Sequence, residues 1–375
     1  MPNKTLDRFS VVFDPQIFSI QEYGGISRYL CALATELSIQ NECVPRIVSP
    51  LYINTYLRML PANLKIGRYI RAQRGTGKLI QLNPLMFRAI ASWLKPQIIH
   101  ETYYSLKPLT TSRSAKRVLT VYDMIHERCP QNFPRDDRTA VTKAMAIKRA
   151  EHLLCISEYT KRDLMELLDV PEEKITVTHL ASYPLPQTNK TASDLAGFTP
   201  YLLYVGQREG YKNFEGFLRA YAASAWLCKE FRLVCFGGQK LKPEELALIH
   251  SLGLPEGAVM QIGGGDEVLA ALYRGATAFV YPSYYEGFGI PPLEAMSADC
   301  PVICSNATSI PEVVGNAGAY FSATEVESIR DTLEQTLQSP QVLANLIAAG
   351  RERREHFSWR RCAEETLDVY RGQLG

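Results

Sequence analysis

The chain of 375 residues is predicted to fold as two doubly wound α/β domains, each built on a parallel sheet, facing across a cleft. Three observations carry that expectation. The length exceeds what one core ordinarily organises. Short apolar runs alternate with longer stretches of helical period throughout, as buried parallel strands and their crossover helices do. A polar segment without periodicity, SYPLPQTNKTASDLAGFTP at 182–200, divides the alternation into halves of similar size.

In the first half the apolar runs are FSVVFD (9–14), QIIHETYY (97–104), RVLTVYD (117–123), HLLCIS (152–157) and ITVTHL (175–180). The first leads into GGISRYLCALATELS, of helical period. In the second half they are YLLYVG (201–206), FRLVCFG (231–237), AVMQIG (258–263), AFVYPS (278–283) and PVICS (301–305). These read as strands buried on both faces, with helical segments between or after them, and ITVTHL ends the first half. The last segment, FSWRRCAEETLDVYRGQ (357–373), has helical period and starts close to a capping pattern. The domains are therefore placed at 1–188 and 198–357, with 182–200 as their linker.

Apolar content of 46% and charged content of 21% exclude a disordered or fibrous chain. The nine cysteines form no CxxC pair, and Cys155, Cys235 and Cys304 lie in strand-like runs; all nine are expected as reduced thiols in a cytoplasmic protein. No signal-peptide core and no apolar run of membrane-spanning length is present, so the chain is not expected to span a membrane. Asp136 and Asp137, in PRDDRT, read as a solvated turn, and no metal-ligand spacing stands out.

Four stretches after the linker share one design, a strand end followed by a glycine turn and a helix. They are YVGQREGYKNFEGFLRAY (204–221), FGGQK (236–240), GGGDEVLAALYRGATAFVYPS (263–283) and YEGFGIPPLEAM (285–296), the last running on to ATSIPEVVGNAG (307–318). Glycines let a backbone approach a ligand, and helix N-termini offer free N–H groups to anions. Arg208 and Lys212 add positive charge. The four together read as a cradle for a phosphorylated ligand.

The series VGQREGYKN, FGGQ, LYRGATAFVYPSYYEGFGIPPLEAM and SIPEVVGNAG resembles the family 4 retaining glycosyltransferases, whose two-Rossmann-domain fold is GT-B. Glu286 and Glu294 match that family's E-x7-E motif, and QEYGGISRYLCAL, TVYDMIHE and CISEYTKRDL resemble its N-terminal segments. The resemblance implies transfer of a hexosyl group from a nucleotide-diphosphate sugar, with retention and without a metal ion. It assigns Arg208 and Lys212 to the diphosphate, Glu294 to the ribose hydroxyls and Glu286 to the donor sugar. Amides of Phe288, Gly289 and Ile290 would sit against the sugar or its phosphate, and Gly24 and Gly25 would close over the donor from the other domain. Gly206, Gly238, Ile262 and Gly263 would line the nucleotide pocket, and the helix at 358–375 would cross back to the first domain. Preorganised cations and amides aimed at a departing diphosphate supply most of the assistance such a reaction needs.

The chain departs from the family at one point. Tyr122 stands where many members have a histidine before the strand-end aspartate, here Asp123, and His126 follows three residues on. Asp123 orients an acceptor hydroxyl, or only binds backbone amides; His126 contacts sugar, or is half-buried packing. Ser157 reads as a site residue or as a helix cap.

The resemblance to mannosyltransferase-like members points to GDP-mannose or a related GDP-sugar as donor, and to a glycan or lipid-linked glycan acceptor in surface polysaccharide synthesis. A sugar-nucleotide epimerase of the same fold and a non-catalytic sugar-nucleotide-binding subunit are the alternatives. Charge placement suggests a further partner. Between Glu42 and Asp123 thirteen Lys and Arg face one acid, Glu101, so this region carries +12 and the remainder −10. KIGRYIRAQRGTGK (65–78) concentrates five of these charges. No nucleic-acid motif accompanies them. An anionic membrane surface is the expected partner, placing the protein at the inner face of the plasma membrane.

Overall fold

The computed structural model describes residues 8–110, 114–189 and 200–375. The chain divides into two compact units, Met1–Leu180 with Ser358–Gly375, and Ala181–Phe357. Part of the segment 182–200, residues 190–199, lies outside the described residues. Residues just after Leu180 are tied to the second unit, where Arg274 Nη2 donates to the Pro186 carbonyl at 2.9 Å.

The first unit holds a seven-stranded sheet, ordered β3-β2-β1-β4-β5-β6-β7. Its strands are β1 (Phe9–Phe13), β2 (Cys43–Tyr52), β3 (Lys65–Tyr69), β4 (Ile98–Glu101), β5 (Lys116–Val121), β6 (His152–Cys155) and β7 (Ile175–Val177). The second holds a six-stranded sheet, ordered β10-β9-β8-β11-β12-β13. Here the strands are β8 (Tyr201–Val205), β9 (Arg232–Phe236), β10 (Val259–Ile262), β11 (Ala278–Tyr281), β12 (Val302–Ser305) and β13 (Gly318–Phe321). Every pairing is parallel. Both faces of each sheet are covered, which is why Val11, Val12, Phe13, Leu202 and Leu203 are all fully buried in unbroken runs.

Three strands escaped the sequence reading, each for a physical reason. β2 contains Pro45 and Pro50, which remove ladder donors. It shifts register against β3 between Val48 and Leu51. There β3 passes so close that a Cβ on Gly67, at φ 148°, would lie 1.7 Å from the Ser49 carbonyl oxygen. β3 and β13 are edge strands without a long apolar run. The first five residues of the basic stretch 65–78 are thus an edge strand.

The helix Trp359–Leu374 packs on the helix Gly25–Ile39 of the first unit. Ser358 caps it, accepting from the Arg361 amide at 3.1 Å. Cys362, Ala363, Thr366, Leu367 and Tyr370 form its buried face. Tyr370 Oη lies 2.6 Å from His100 Nδ1, and His100 Nε2 lies 2.8 Å from Thr120 Oγ1. Both ring nitrogens of a fully buried imidazole are thereby satisfied. All nine cysteines are free. Among the described residues no helix is long and apolar enough to cross a membrane.

Candidate active site

Ligands of open α/β sheets collect at the carboxyl ends of strands where the strand order reverses. In the second unit that point lies between β8 and β11. Lys212 ends a short 3-10 turn after β8, and Glu286 lies in the loop after β11. Lys212 Nζ and Glu286 Oε1 are 2.7 Å apart, with both side chains largely buried. The ammonium also lies 5.2 Å and 5.7 Å from the ring centres of Tyr211 and Tyr281. The same two loops are stitched by the Tyr284 amide, which donates to the Tyr211 carbonyl at 2.7 Å.

Asn213, which sequence reasoning passed over, holds this arrangement. It adopts φ 53°, caps the helix Phe214–Ala222, and donates from Nδ2 to the carbonyls of Pro282 and Ala323 at 3.1 and 2.8 Å. Its position, between Lys212 and a helix start, was the available signal. Thr308 and Ser309, after β12, brace the glutamate loop. Thr308 Oγ1 accepts from the Glu286 amide at 2.9 Å, and Ser309 Oγ meets the carbonyls of Glu286 and Phe288 at 2.8 Å each.

The segment GFGIPPLEA now has a local explanation. Gly289, at φ 126° and ψ 60°, caps the helix Ile290–Ser297 in a conformation closed to residues with a Cβ. Pro291 and Pro292 occupy the first turn, where their missing N–H groups would have been unpaired. Gly289 and Ile290 therefore supply the amides at this N-terminus. One turn on, Glu294 is buried, and Tyr273 Oη donates to its Oε2 at 3.3 Å. Burial, and then this carboxylate, push the Tyr273 phenol well above its ordinary range.

Arg208 is placed differently from Lys212. Its side chain is only 4% exposed. Nε donates to Glu245 Oε1 at 2.8 Å, Nη1 to the Gly237 carbonyl at 3.3 Å, and Nη2 to the Gln239 carbonyl at 2.7 Å. The guanidinium therefore shapes the loop after β9, and one Nη1 hydrogen is uncommitted among the described residues. Gly238, at φ 67°, faces that Nη1, which a Cβ would approach to 3.1 Å. Gln207, Arg208, Gly238, Gln239 and Glu245 line a pocket there. Ile262 and Gly263 follow at the end of the neighbouring β10, where the Gly237 amide meets the Ile262 carbonyl at 3.4 Å. Gly206, at φ 132°, ends β8 and donates its amide to the Phe236 carbonyl at 2.9 Å. Glu245, which pairs with Arg208, was missed; its place in the first turn of the helix Pro243–Ser251 was the only hint.

In the first unit the order reverses between β1 and β4. Asp14, just after β1, is buried and bridges the two strand ends. Its Oδ1 accepts from Thr102 Oγ1 at 2.6 Å and from the Thr102 amide at 3.1 Å. Gly24 caps the helix Gly25–Ile39, and Gly25 has open space where a Cβ would stand. Asp123 and His126 lie beyond β5. Asp123 Oδ1 accepts from the Ile125 amide at 3.1 Å, and its side chain remains 31% exposed. His126 stacks on Phe133 with ring centres 3.9 Å apart. Burial, then the Lys143 ammonium, push its pKa below the ordinary value, so the ring is neutral near pH 7. Tyr122 Oη donates to the Thr102 carbonyl at 3.0 Å and is buried. Ser157 is a helix cap, its Oγ accepting from the Thr160 amide at 3.0 Å. Asp137 caps a turn, accepting from the Thr139 amide at 2.7 Å.

Two buried groups give this unit a defined pH response. Burial depresses His100 from 6.5 to about 3, so the unfolded chain takes up that proton first and stability falls as pH drops through 6.5. Burial, and then the Glu101 carboxylate, raise Asp14 from 3.8 to about 6, so the native state takes up that proton first and gains stability as pH drops through 6. Between about pH 4 and 6 the two slopes oppose each other. Asp14→Asn should therefore leave the His100 slope uncovered, with a loss of roughly 1.4 kcal/mol per pH unit. Urea midpoints at pH 6 and pH 4.5 check this; equal pH dependence in variant and parent refutes it.

The family described as Glycosyl transferases group 1 matches residues 187–353, and Glycosyltransferase Family 4 matches residues 23–181. O-antigen chain mannosyltransferase B of Escherichia coli is 30% identical over 316 residues, covering 81% of this chain and 83% of that protein. O-antigen chain mannosyltransferase RfbU of Salmonella typhimurium is 25% identical over 273 residues, covering 72% and 75%. Among solved structures, a glycosyltransferase from Rickettsia africae aligns over 98% of this chain and 99% of its own, with TM-score 0.71 and 17% identity. WaaG, a glycosyltransferase involved in lipopolysaccharide biosynthesis, aligns over 96% of this chain and 100% of its own, with TM-score 0.71 and 17% identity.

Proposed function

The chain belongs to the family 4 glycosyltransferases of GT-B fold, and from that premise we propose that it transfers a mannosyl-type residue from GDP-mannose or a related GDP-sugar, with retention of configuration and without a metal ion. The acceptor is a glycan or lipid-linked glycan in surface polysaccharide synthesis, as the names of the similar mannosyltransferases suggest. The observation that carries the reading is the Lys212–Glu286 pair at the strand-order reversal, with the Gly289 and Ile290 amides and buried Glu294 on the adjoining helix.

Breaking the sugar–phosphate bond develops negative charge on the diphosphate and positive charge on the ring. Lys212 is the cation for the first, and its partner Glu286, 2.7 Å away, is the carboxylate for the donor sugar. Glu294 takes the ribose hydroxyls. Arg208 acts on the nucleotide through the loop at 237–240 and through its remaining Nη1 hydrogen. Gly206, Gly238, Ile262 and Gly263 line the base pocket. In the first unit Asp123 and His126 receive the acceptor.

Incubation with GDP-mannose, with and without a mannoside acceptor, tests the activity. Transfer requires acceptor, an epimerase would act on donor alone, and a binding subunit would turn over neither. GDP at a hundredfold excess over its dissociation constant should raise apparent stability by about 2.7 kcal/mol, and UDP by less. A larger UDP effect would overturn the donor assignment.

The membrane reading gains support from the helix Asn83–Leu94. Leu85, Met86 and Trp93 lie three, four and eleven residues along from Leu82, the four making one exposed stripe; Leu85 is 70% and Trp93 75% exposed. In sequence Arg71, Arg74 and Lys78 precede this helix, Arg88 lies within it and Lys95 ends it, and no acidic residue occurs between Glu42 and Glu101. An apolar stripe with tryptophan and a basic border suits the headgroup boundary of an anionic leaflet. Sedimentation should show binding to anionic vesicles that 0.5 M salt weakens, and little binding to neutral ones. Equal, salt-insensitive binding to both would refute it.

A further inference from the structure

A cation with no contact to solvent stands directly behind Asp123. Lys143, on the helix Thr139–Arg149, has a side chain 0% exposed. Its Nζ donates to the Asp123 carbonyl at 2.8 Å and to Glu127 Oε2 at 2.9 Å, and lies 3.4 Å from Asp123 Oδ1. The Tyr104 ring centre is 5.4 Å away. An ammonium has three N–H donors, and here they meet three oxygens, as burial of a charge requires. The short helical turn bearing Glu127 is held from its other side as well, where Arg128 Nη2 pairs with Asp163 Oδ1 at 2.7 Å.

Stability is a poor account of this lysine, because well-packed apolar residues often replace a buried ion pair with no loss. What the lysine does geometrically is aim a carboxylate. Asp123 Oδ1 is tied by the Ile125 amide and lies beside the Lys143 ammonium. Oδ2 receives no hydrogen bond among the described residues, although nearly a third of the side chain is open to solvent. Tyr103 is nearby, its phenol raised by burial and then by the Asp123 charge. His126, stacked on Phe133, borders the same cluster.

We propose that Lys143 is a positioning residue, holding Asp123 so that Oδ2 accepts a hydrogen bond from a hydroxyl of the sugar acceptor. The inference rests on the assignment of Asp123 to the acceptor. Lys143 does not touch substrate; it sets the direction of the group that does. The helix carrying it contributes to the acceptor site through one buried atom.

The test compares Lys143→Met, the double variant Lys143→Met with Glu127→Gln, and Asp123→Asn. GDP-mannose is the donor and octyl α-mannoside the acceptor probe. The double variant removes the charge that the single variant strands, so it should melt near the parent temperature and keep the shift induced by GDP. Its KM for octyl α-mannoside should nevertheless rise at least tenfold, with the KM for GDP-mannose unchanged. In crystals of the double variant the Asp123 carboxylate should rotate from its present direction. A parent-like carboxylate in the crystal, or a parent-like acceptor KM in the double variant while Asp123→Asn raises it, overturns the role of Lys143. An unchanged acceptor KM in Asp123→Asn overturns the underlying assignment of Asp123 instead.

Discussion

Replacing Lys212 with alanine should lower kcat by about 10²–10³, with a smaller change in the KM for donor, as loss of one preorganised group at a developing charge typically does. Lys212 is held at the reversal point of the second sheet by Glu286 and two aromatic rings. Its ammonium therefore needs little reorganisation when charge builds on a leaving diphosphate. Arginine at this position should not restore the rate, since a planar fork cannot occupy the space between Tyr211 and Tyr281 as a compact ammonium does. Steady-state rates for the alanine and arginine variants check both statements. Alanine turnover within a factor of three of the parent would remove Lys212 from the diphosphate. Because Glu286 would be left largely buried without its partner, melting temperatures should be taken in parallel.

Arg208→Ala should have the second large effect, of a different kind. Removing the guanidinium strands the Glu245 carboxylate and releases the carbonyls of Gly237 and Gln239. Truncating one partner of a buried charge pair costs roughly 3–5 kcal/mol. The loop after β9 should lose its shape, so the KM for donor should rise more than kcat falls, and the melting temperature should drop. Glu245→Gln, which keeps the side-chain volume, should reproduce part of the donor effect. Should Arg208→Ala lower kcat alone, with donor KM and melting temperature unmoved, the guanidinium would be acting on the leaving group directly and not through the loop. Calorimetric melting with kinetics over a range of GDP-mannose concentrations distinguishes these outcomes.

Much of the second unit was legible from its strand ends. YLLYVG, FRLVCFG and AFVYPS are apolar throughout because both faces of a parallel sheet are covered, and a run of that kind is recognisable without knowing its neighbours. The glycine and proline positions of YEGFGIPPLEAM were equally readable, since φ of 126° at Gly289 and prolines in a first turn are local requirements. The first unit was less open. β2 carries two prolines and β3 two charges in five residues, so neither has the signature of a buried strand, although β2 lies inside the sheet. Ser157 could be a cap or a site residue in the sequence; only the 3.0 Å bond from the Thr160 amide made it a cap.

The amino-acid sequence by itself determined the alternation of strands and helices, the family, and the glycine turns with Glu286 and Glu294 around them. These follow from burial, backbone freedom and capping, each of which acts over a few neighbouring residues. Tertiary structure alone decided the partners: Lys212 with Glu286, Arg208 with Glu245, and Lys143 with Asp123 and Glu127. The first two pairs join residues 74 and 37 positions apart, brought together because β8 lies between β9 and β11 in the sheet; Lys143 meets Asp123 and Glu127, 20 and 16 positions away, through helix packing within the connection between β5 and β6. A charge in a sequence carries no mark of the opposite charge that will desolvate with it, because that pairing depends on which strand ends become neighbours.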